Sequence, residues 1–329
     1  MKVLVIGNKD RYQKFMPDKA FVKSVEIVYM PRDYSAKEVL AKAKDASAIL
    51  IDPMADLPGE VIESISNLKI IQSEGVGFNG IDCAAARRKG VYVCNCKGAN
   101  AGAVAEQTVL LMLALLRSAI PCDRAVREGH QIEWKERLMV EGISELGDCK
   151  IGMIGFGDIA KATAKRLLPF GCELFYYTKA PKPRELEEEY GVAYLEQEEL
   201  LRTCDIVSLH CPVTPETMGM VNAEFLSQMK TGAYLINTAR GDLVDNQALC
   251  DAIQSEKLRG AGLDTVAPEP VTRDNLLLKL PAQYAERIIF SPHIGGITTS
   301  YFRRGHAFNW SNVERAVNGG RPQFIVNGL

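Results

Sequence analysis

The chain has 329 residues and a mass of 36.2 kDa, which at roughly 150 residues per domain predicts about two domains and excludes a small disulfide-stapled module. Its composition, 47% hydrophobic and 24% charged, is that of an ordinary globular protein and argues against disorder. The 39 basic and 41 acidic residues leave a net charge of −2, which gives no broad electrostatic reason to bind nucleic acid or an anionic membrane. Small molecules are therefore the expected partners.

No segment predicts export or membrane insertion. The longest uncharged apolar run, from Val109 to Leu116, is about half of the roughly 18 residues that span a bilayer, and it predicts a buried helix. The opening MKVLVIGNKDRYQK lacks a long apolar region and a cleavage site, so it predicts a first strand and a cytoplasmic protein. The nine cysteines form no CxxC pair and are expected to be free and mostly buried, with no metal site.

Short β-branched runs alternate with helical patterns along the chain, which predicts the α/β class with parallel sheets and crossover helices. The predicted strands cover residues 3–6, 48–51, 70–72, 92–94, 151–154, 174–177, 206–209, 233–236, 261–263 and 288–290. Helical patterns between them include residues 35–44, 159–168, 197–201 and 246–255.

Two breaks divide this alternation. After strand 92–94 come a polar turn, a long apolar helix from about residue 103 to 116, and a charged segment at 124–150 that we expect to be irregular. A new strand then starts at Ile151, so the chain is expected to change sheets there. The last stretch, 298–317, has helical character, and Gly319, Gly320 and Pro322 stop it before a short terminal strand.

A glycine-rich turn follows strand 151–154 and opens a helical pattern. Its sequence GFGDIA, at residues 155–160, has the G-x-G-x-x-A form of a dinucleotide-binding turn. The first glycine makes the tight turn, the second lets the backbone approach a pyrophosphate, and Ala160 lets the helix pack on the strand. The helix N-terminus offers N–H groups to the phosphates. The cofactor-binding residues predicted here are Gly155, Phe156, Gly157, Asp158 and Ile159.

The residue at the end of the next strand bears on the choice of cofactor. An NAD site would place an acid there for the ribose 2′-hydroxyl, but this chain has Thr178, with Lys179, Lys182 and Arg184 close behind. A positive charge at this point favours the 2′-phosphate of NADP, or the use of both NADP and NAD. The alternative is that these cations are ordinary solvated loop residues.

Three loops follow successive strands at the end of the sheet where open α/β folds bind ligands, and they contain Arg240, Glu269 and His293. Their sequences are NTARGDLVD, GLDTVAPEP and SPHIGGIT, and SLHCPVTPET stands at residues 208–217. With the GFGDIA turn, these segments resemble the D-isomer-specific 2-hydroxyacid dehydrogenases, in particular the glyoxylate and hydroxypyruvate reductases. The resemblance covers nearly the whole chain and implies an NAD(P)-dependent oxidoreductase.

The chemistry of reducing a 2-oxo acid explains why these residue types are needed. Hydride delivery to the carbonyl carbon builds negative charge on its oxygen, so a proton donor is required, and His293 suits that task. The resemblance makes Glu269 the partner that keeps His293 protonated and aimed. Arg240 can bind the substrate carboxylate through its planar donors. Each residue alone could instead be structural, but three at successive strand ends favour catalysis.

The resemblance also extends the cofactor site and excludes one branch of the family. Formate dehydrogenases have Gln at the position of Glu269. His210 lies in a segment that lines the cofactor in relatives, although packing at a strand end is an equal alternative. Asp264 would hold the nicotinamide end. The further cofactor-binding residues implied are His210, Pro212, Thr217, Thr238, Ala239, Asp264, Gly295 and Gly296.

The loop after strand 70–72 resembles the family's substrate loop, in which backbone N–H groups, here of Val76 and Gly77, bind the substrate carboxylate. Asn100 matches a hinge and cleft position. Phosphite dehydrogenases have lysine at the position of Val76, so the sequence argues against that activity. Glu74 is a departure: facing the cleft, it would repel a second anionic group and favour a substrate such as hydroxypyruvate, and facing outward it would be a solvated loop acid.

We therefore predict two Rossmann-like domains, a discontinuous substrate domain at 1–98 and 299–329 and a dinucleotide-binding domain at 99–298. The expected reaction is NAD(P)H-dependent reduction of a small 2-oxo acid to a D-2-hydroxy acid. The alternatives are a nucleotide-sensing, corepressor-like binding protein and an enzyme like phosphoglycerate dehydrogenase. The resemblance further implies a homodimer, because relatives pair through the segments around residues 104–116 and Trp134.

Overall fold

The computed structural model describes residues 1–329 and divides into two compact units. The first unit comprises Met1–Asn100 and Ile297–Leu329, and the second comprises Ala101–Gly296. The first unit is thus discontinuous in sequence. The predicted boundaries at 98/99 and 298/299 stay a prediction, and each lies two residues from a junction of these units.

The first unit is built on a five-stranded parallel sheet in the order β2-β1-β3-β4-β5. Its strands are β1 (Lys2–Ile6), β2 (Glu26–Met30), β3 (Ala48–Ile51), β4 (Ile70–Ser73) and β5 (Tyr92–Cys94). Its helices, numbered along the whole chain, are α1 (Lys9–Lys14), α2 (Ala20–Lys23), α3 (Ala36–Ala43), α4 (Gly59–Ser64), α5 (Cys83–Arg88) and α15 (Thr299–Val317). The inner strands are buried on both faces, because helices cover the sheet on each side.

The second unit has a seven-stranded parallel sheet in the order β12-β11-β10-β9-β6-β7-β8. Its strands are β6 (Lys150–Ile154), β7 (Glu173–Tyr177), β8 (Val192–Tyr194), β9 (Ile206–Leu209), β10 (Ala233–Asn237), β11 (Leu258–Leu263) and β12 (Ile288–Phe290). Its helices are α6 (Ala101–Leu116), α7 (Ala119–Arg127), α8 (Gln131–Glu141), α9 (Asp158–Leu167), α10 (Arg184–Tyr190), α11 (Gln197–Thr203), α12 (Ala223–Gln228), α13 (Asn246–Gln254) and α14 (Ala282–Ala285). The order of the strands reverses between β6 and β9, and such a reversal opens a ligand crevice at the carboxyl ends of the strands.

The predicted α/β class with two parallel sheets is confirmed, and each of the ten strands predicted between residues 3 and 290 is present. The edge strands β2 and β8 were not predicted. Both strands are only partly buried, yet β2 (EIVYM) and β8 (VAY) contain apolar runs, so the signal was present in the sequence and was not assigned to strands. All nine cysteines are free, and most are buried, as expected.

Two local expectations were wrong. Much of the segment 124–150 is helical, because α7 extends to Arg127 and α8 follows it. The apolar periodicity failed there because α8 buries none of its side chains. The expected terminal strand is a single antiparallel bridge between Cys94 and Ile325.

Helix α6 is mostly buried and packs on α9 and on the sheet of its own unit. No single helix combines the length and apolarity needed to cross a membrane. Taken as a pair, α6 and α7 meet that criterion by length and composition only, with a bend of 59° at their junction. The cytoplasmic location stays a prediction.

The close packing of β6 on α11 can be tested at Gly152. A Cβ at this position would stand 2.9 Å from Cys204 Sγ and against the Leu200 side chain. We expect Gly152→Ala to lower the free energy of unfolding by about 1–3 kcal/mol, as overpacked cores do. The matched control is Gly305→Ala in α15, where the nearest atom would lie at an ordinary 3.5 Å, and where alanine is expected to be neutral or stabilising. Equal urea midpoints for the two variants would contradict this.

Candidate active site

The turn between β6 and α9 requires its first glycine for two reasons. Gly155 has φ +96°, in the left-handed region, and a Cβ there would stand 2.7 Å from the carbonyl oxygen of His210. Its N–H donates to the Tyr177 carbonyl at 2.8 Å, which ties the turn to the end of β7. A side chain would therefore push apart the loops that follow β6 and β9.

The protein itself does not require a glycine at the second glycine position of the turn. Gly157 has an extended backbone, φ −89° and ψ −163°, and a Cβ there would meet nothing within 4 Å. No side chain caps α9, so the N–H groups of its first turn have no partner in the protein, and Ala160 is fully buried. Open space beside unpaired N–H groups at a helix N-terminus fits a dinucleotide pyrophosphate.

The loop after β7 presents positive charge. Lys179 and Lys182 make no ion pair, whereas Arg184 pairs with Glu188 on its own helix at 2.9 Å. Thr178 follows the last residue of β7, and its hydroxyl donates to the Ala180 carbonyl at 2.6 Å. This hydrogen bond stabilises the start of the loop. No carboxylate occupies the position of the ribose-binding acid.

The loop after β9 combines a buried imidazole with a hydroxyl-braced turn. His210 Nε2 lies 3.0 Å from Ser208 Oγ, and its Nδ1 is buried without a partner. Burial lowers the pKa of His210 to about 4, so the ring is neutral at pH 7. The Thr217 hydroxyl donates to the carbonyl of exposed Pro212 at 2.7 Å, which fixes the turn.

Arg240 lies in a turn that is ordered by Asn237, the last residue of β10. The Asn237 amide donates to the Arg240 carbonyl at 2.8 Å and accepts from the Ala239 N–H at 3.0 Å. The hydroxyl groups of Thr238 and Thr108 form a buried hydrogen bond at 2.9 Å. The Arg240 guanidinium donates only to the Ala239 carbonyl, at 2.7 Å, and has no carboxylate partner. It can therefore bind an acidic ligand.

The Arg240 turn packs directly against the loop that leads to Glu269. A Cβ on Gly241 would stand 2.9 Å from Val266 Cα and would overlap the Ala267 backbone nitrogen. The Ala267 carbonyl accepts from the side chains of Asn246, at 2.6 Å, and Asn275, at 3.1 Å. The loops after β10 and β11 thus form one packed structure, with Arg240 on one loop and Glu269 on the other.

His293 and Glu269 form a hydrogen-bonded pair. The Nδ1 atom of His293 lies 2.8 Å and 3.0 Å from the two oxygens of the Glu269 carboxylate. The carboxylate accepts the Nδ1 proton, so the ring is held in one orientation and Nε2 has no protein partner. This arrangement fits a general acid and base that works through Nε2.

The backbone of His293 has φ +55°, in the left-handed region, and Asp264 at the end of β11 holds it there. The His293 N–H donates to the Asp264 carbonyl at 2.8 Å. The buried Asp264 carboxylate accepts the N–H groups of Ile294, at 3.0 Å, and Gly295, at 2.8 Å, and the Ser291 hydroxyl. Asp264 therefore organises the His293 loop, a role that the sequence did not reveal. Gly296, after this loop, is the last residue of the second unit.

In the first unit, the loop after β4 leaves two donors free. The N–H groups of Val76 and Gly77 donate to no protein atom. Their carbonyl oxygens are occupied, because Val76 accepts from the Asn95 amide at 2.9 Å and Gly77 accepts from the Ser73 hydroxyl at 2.6 Å. Adjacent free N–H groups on a fixed loop suit a carboxylate. At the end of the same unit, the side-chain oxygen of Asn100 is buried without a partner.

Glu74 requires a correction. Only 3% of its surface is exposed, so it is not a solvated loop acid. Its carboxylate forms an ion pair with Arg11, and a hydrogen bond of 2.7 Å with His306 Nε2. Both oxygens are thus engaged inside the first unit, and the charge is compensated. The expected repulsion of a second anionic group on the substrate does not follow from this arrangement.

Several residues of these networks were not singled out from the sequence. Gln107 donates to the Ser291 hydroxyl at 3.0 Å and so extends the Asp264 network onto α6. Arg11 and His306 hold Glu74 from α1 and α15, and each is far from Glu74 in sequence. Gln107 stands inside the mostly apolar sequence of α6, which was an available indication, whereas α15 mixes polar and apolar residues and gave none for His306.

A glycine turn suited to a pyrophosphate and a His–Glu pair at neighbouring strand ends together define a dinucleotide-dependent oxidoreductase. The sequence-family model of the D-isomer specific 2-hydroxyacid dehydrogenase NAD binding domain matches residues 109–295 of this chain. A glyoxylate reductase of Thermococcus litoralis is 37% identical over 266 residues, which cover 79% of this chain and 77% of the relative. A hydroxypyruvate reductase of Thermotoga maritima is 35% identical over 267 residues, which cover 81% of this chain and 83% of the relative.

A solved structure gives the same result. The D-isomer specific 2-hydroxyacid dehydrogenase of Lactobacillus delbrueckii ssp. bulgaricus, in its NAD-complexed form, matches with a TM-score of 0.84 and 28% identity over 99% of this chain and 100% of that one. The chain belongs to the D-isomer specific 2-hydroxyacid dehydrogenases. It is an NAD(P)-dependent oxidoreductase that reduces 2-oxo acids to D-2-hydroxy acids.

The role of Gly157 can be tested because its conformation permits a side chain. We expect Gly157→Ala to leave the melting temperature unchanged within about 2 °C, since a Cβ at this position would meet no protein atom within 4 Å. The dissociation constant for NADH or NADPH should rise at least tenfold, because the side chain occupies the approach to the helix N-terminus. Fluorescence titration of the reduced cofactor measures this. Unchanged affinity would remove Gly157 from the cofactor site.

Proposed function

We propose that this enzyme reduces small 2-oxo acids with one carboxylate, glyoxylate or hydroxypyruvate, using His293 as the proton donor. The observation on which this rests is the pairing of His293 Nδ1 with the Glu269 carboxylate at 2.8 Å, which leaves Nε2 free. The identities of 35–37% to a glyoxylate reductase and a hydroxypyruvate reductase support these substrates.

Each residue then has a defined task. The 155–160 turn would hold NAD(P)H, which would supply the hydride for the carbonyl carbon when bound. The Nε2 proton of His293 goes to the carbonyl oxygen as negative charge develops there, and Glu269 stabilises the protonated ring before the transfer. The Arg240 guanidinium has no carboxylate partner within the protein, and it binds the substrate carboxylate and the substrate carbonyl oxygen. The N–H groups of Val76 and Gly77 bind the carboxylate as well.

We also propose further cofactor contacts. His210, Pro212 and Thr217 belong to the loop after β9, and β9 pairs with β6. Thr238 and Ala239 belong to the loop after β10, and β10 pairs with β9. Asp264, Gly295 and Gly296 lie at the nicotinamide end. Asn100 offers its unpaired side-chain oxygen to the substrate or cofactor.

Replacement of the proposed proton donor tests the mechanism. We expect His293→Ala to lower kcat with NADPH and glyoxylate at least about 100-fold, because a general acid contributes factors of that order. The dissociation constant for NADPH should stay within about twofold of wild type. His130→Ala is the control, since His130 is exposed and pairs only with Glu133 on α8. Near-normal turnover of His293→Ala would refute the assignment.

For the cofactor, we propose a preference for NADP, or use of both NADP and NAD, because Lys179 and Lys182 lack carboxylate partners. Thr178→Asp places a carboxylate where it repels a 2′-phosphate and accepts from a ribose hydroxyl. The ratio of kcat/KM for NADPH to that for NADH should fall at least tenfold. Thr272→Asp, on an exposed loop, is the charge-matched control. An unchanged ratio in Thr178→Asp would refute the proposed phosphate site.

We propose that the enzyme is a homodimer whose subunits pair through the segments around residues 104–116 and Trp134, which lie in α6 and α8. None of the side chains of α8 is buried, and Ile132, Met139 and Val140 are 63%, 74% and 89% exposed. An apolar patch of this kind on a monomer is a typical interaction surface.

Sedimentation velocity tests this proposal. Wild type should sediment with about twice the 36.2 kDa of one chain, and the double variant Met139→Asp, Val140→Asp should sediment as a monomer, because charges oppose burial of the patch. Leu40→Asp, on α3, is the control and should remain dimeric. A monomeric wild type, or a dimeric double variant, would contradict this assembly.

A further inference from the structure

We propose that Glu74 is a positioning residue whose buried, doubly held carboxylate fixes the loop at residues 75–77 with the N–H groups of Val76 and Gly77 free for the substrate. This inference rests on the proposed function, because it assigns a task to a residue that supports the substrate loop without contacting the substrate. It also explains why a carboxylate is present at a buried position.

The first observation is that the loop is anchored through four consecutive carbonyl oxygens. Glu74 accepts from the Tyr301 hydroxyl at 2.6 Å, and Gly75 accepts from the Cys96 N–H at 2.9 Å. The Val76 and Gly77 carbonyls accept from Asn95 and Ser73, as described above. With every carbonyl engaged on the protein side, the peptide planes are fixed, and the unpaired N–H groups are the part of the loop that remains available.

The second observation is the way in which the Glu74 side chain is held. Arg11 on α1 donates to Glu74 and, at 2.9 Å, to Asp52, which follows β3. His306 on α15 lies 2.7 Å from the other Glu74 oxygen and is only 1% exposed. The carboxylate therefore connects the end of β4 to two helices and, through Arg11, to the end of the neighbouring strand.

The charges of this cluster support the same interpretation. Burial on its own would lower the pKa of Arg11, but the negative charges of Glu74 and Asp52 raise it, so the guanidinium stays charged. Asp52 is stabilised as a carboxylate as well, since donors from Met54, Arg11 and Arg32 lower its pKa despite burial. Burial raises the pKa of the Tyr301 hydroxyl, so it stays protonated and donates to the Glu74 carbonyl. The anchor is thus ionic on the side chain and neutral on the backbone.

The loop has little freedom to adjust if this anchor is lost. A Cβ on Gly75 would stand 2.9 Å from Cγ of Pro53, so the backbone at Gly75 already lies against the residue after Asp52. The Gly75 N–H is directed at Ser73 Oγ at 3.3 Å. A change in the direction of the Glu74 side chain would be transmitted to the next two peptide planes, whose N–H groups would then form weaker hydrogen bonds with the substrate carboxylate.

The experiment separates substrate binding from catalysis and from cofactor binding. Three variants, Glu74→Gln, Glu74→Ala and Tyr301→Phe, are compared with wild type by measuring kcat and KM for glyoxylate and the dissociation constant for NADPH. We expect KM to rise about 10- to 100-fold in Glu74→Ala and about 3- to 10-fold in Tyr301→Phe. Glu74→Gln, which keeps one acceptor and the size of the side chain, should lie between wild type and alanine. In all three, kcat and the NADPH dissociation constant should stay within about threefold of wild type.

The matched control is Arg32→Gln. Arg32 donates to Asp52 at 2.8 Å but makes no contact with Glu74, so its loss should leave KM within about twofold of wild type. If Glu74→Ala fails to fold because Arg11 and His306 lose their partner, Glu74→Gln and Tyr301→Phe decide the question.

Two results would overturn the inference while leaving the proposed function intact. One is an unchanged KM in Glu74→Gln and Tyr301→Phe, with an active wild type. The other is a parallel loss of kcat, substrate affinity and NADPH affinity in all variants, which indicates general destabilisation. A wild type that reduces no 2-oxo acid would refute the proposed function itself, and the inference with it.

Discussion

The backbone of His293 adopts φ +55°, and the hydrogen bonds of Asp264 hold it in that conformation. A non-glycine residue in the left-handed region costs free energy, so the surrounding structure must supply compensating bonds. Asp264 does this with its carbonyl, which accepts the His293 N–H, and with its carboxylate, which accepts the N–H groups of Ile294 and Gly295. In this backbone conformation the His293 imidazole lies against the Glu269 carboxylate. The pairing of these two side chains therefore depends on a third residue that contacts neither ring nitrogen.

The two units use buried carboxylates in different ways to fix a loop. Asp264 accepts backbone N–H groups and a hydroxyl from the loop that it organises, and forms no ion pair. Glu74 stands within its loop and is held from outside by a guanidinium and an imidazole. Both arrangements satisfy the rule that a buried charge must be hydrogen-bonded or paired. Only the second pairs the carboxylate with a cation, since Arg11 forms an ion pair with Glu74.

This difference changes the expectation about substrates. The sequence suggested that Glu74 would disfavour phosphorylated and dicarboxylic acids, but within the first unit Arg11 forms an ion pair with its carboxylate and His306 forms a hydrogen bond with it. In the second unit the Arg240 guanidinium has no carboxylate partner, and in the first unit the N–H groups of Val76 and Gly77 donate to no protein atom. The proposed binding of the substrate carboxylate uses these groups and does not involve the Glu74 side chain.

The sequence alone determined the α/β class, the glycine turn and the strand ends at which Arg240, Glu269 and His293 stand. These features are local, because strand length, turn chemistry and the spacing of helix starts are encoded within a few residues of one another. The tertiary structure decided what was non-local. Glu74 was assigned a place near the substrate, but its partners Arg11 and His306 lie 63 and 232 residues away, and no pattern of spacing connects them. The exposed helix α8 was missed because a helix that buries none of its side chains lacks the apolar periodicity that identifies a helix in a sequence. Strands β2 (EIVYM) and β8 (VAY) do contain short apolar runs, and their places at the sheet edges became clear only from the strand pairing.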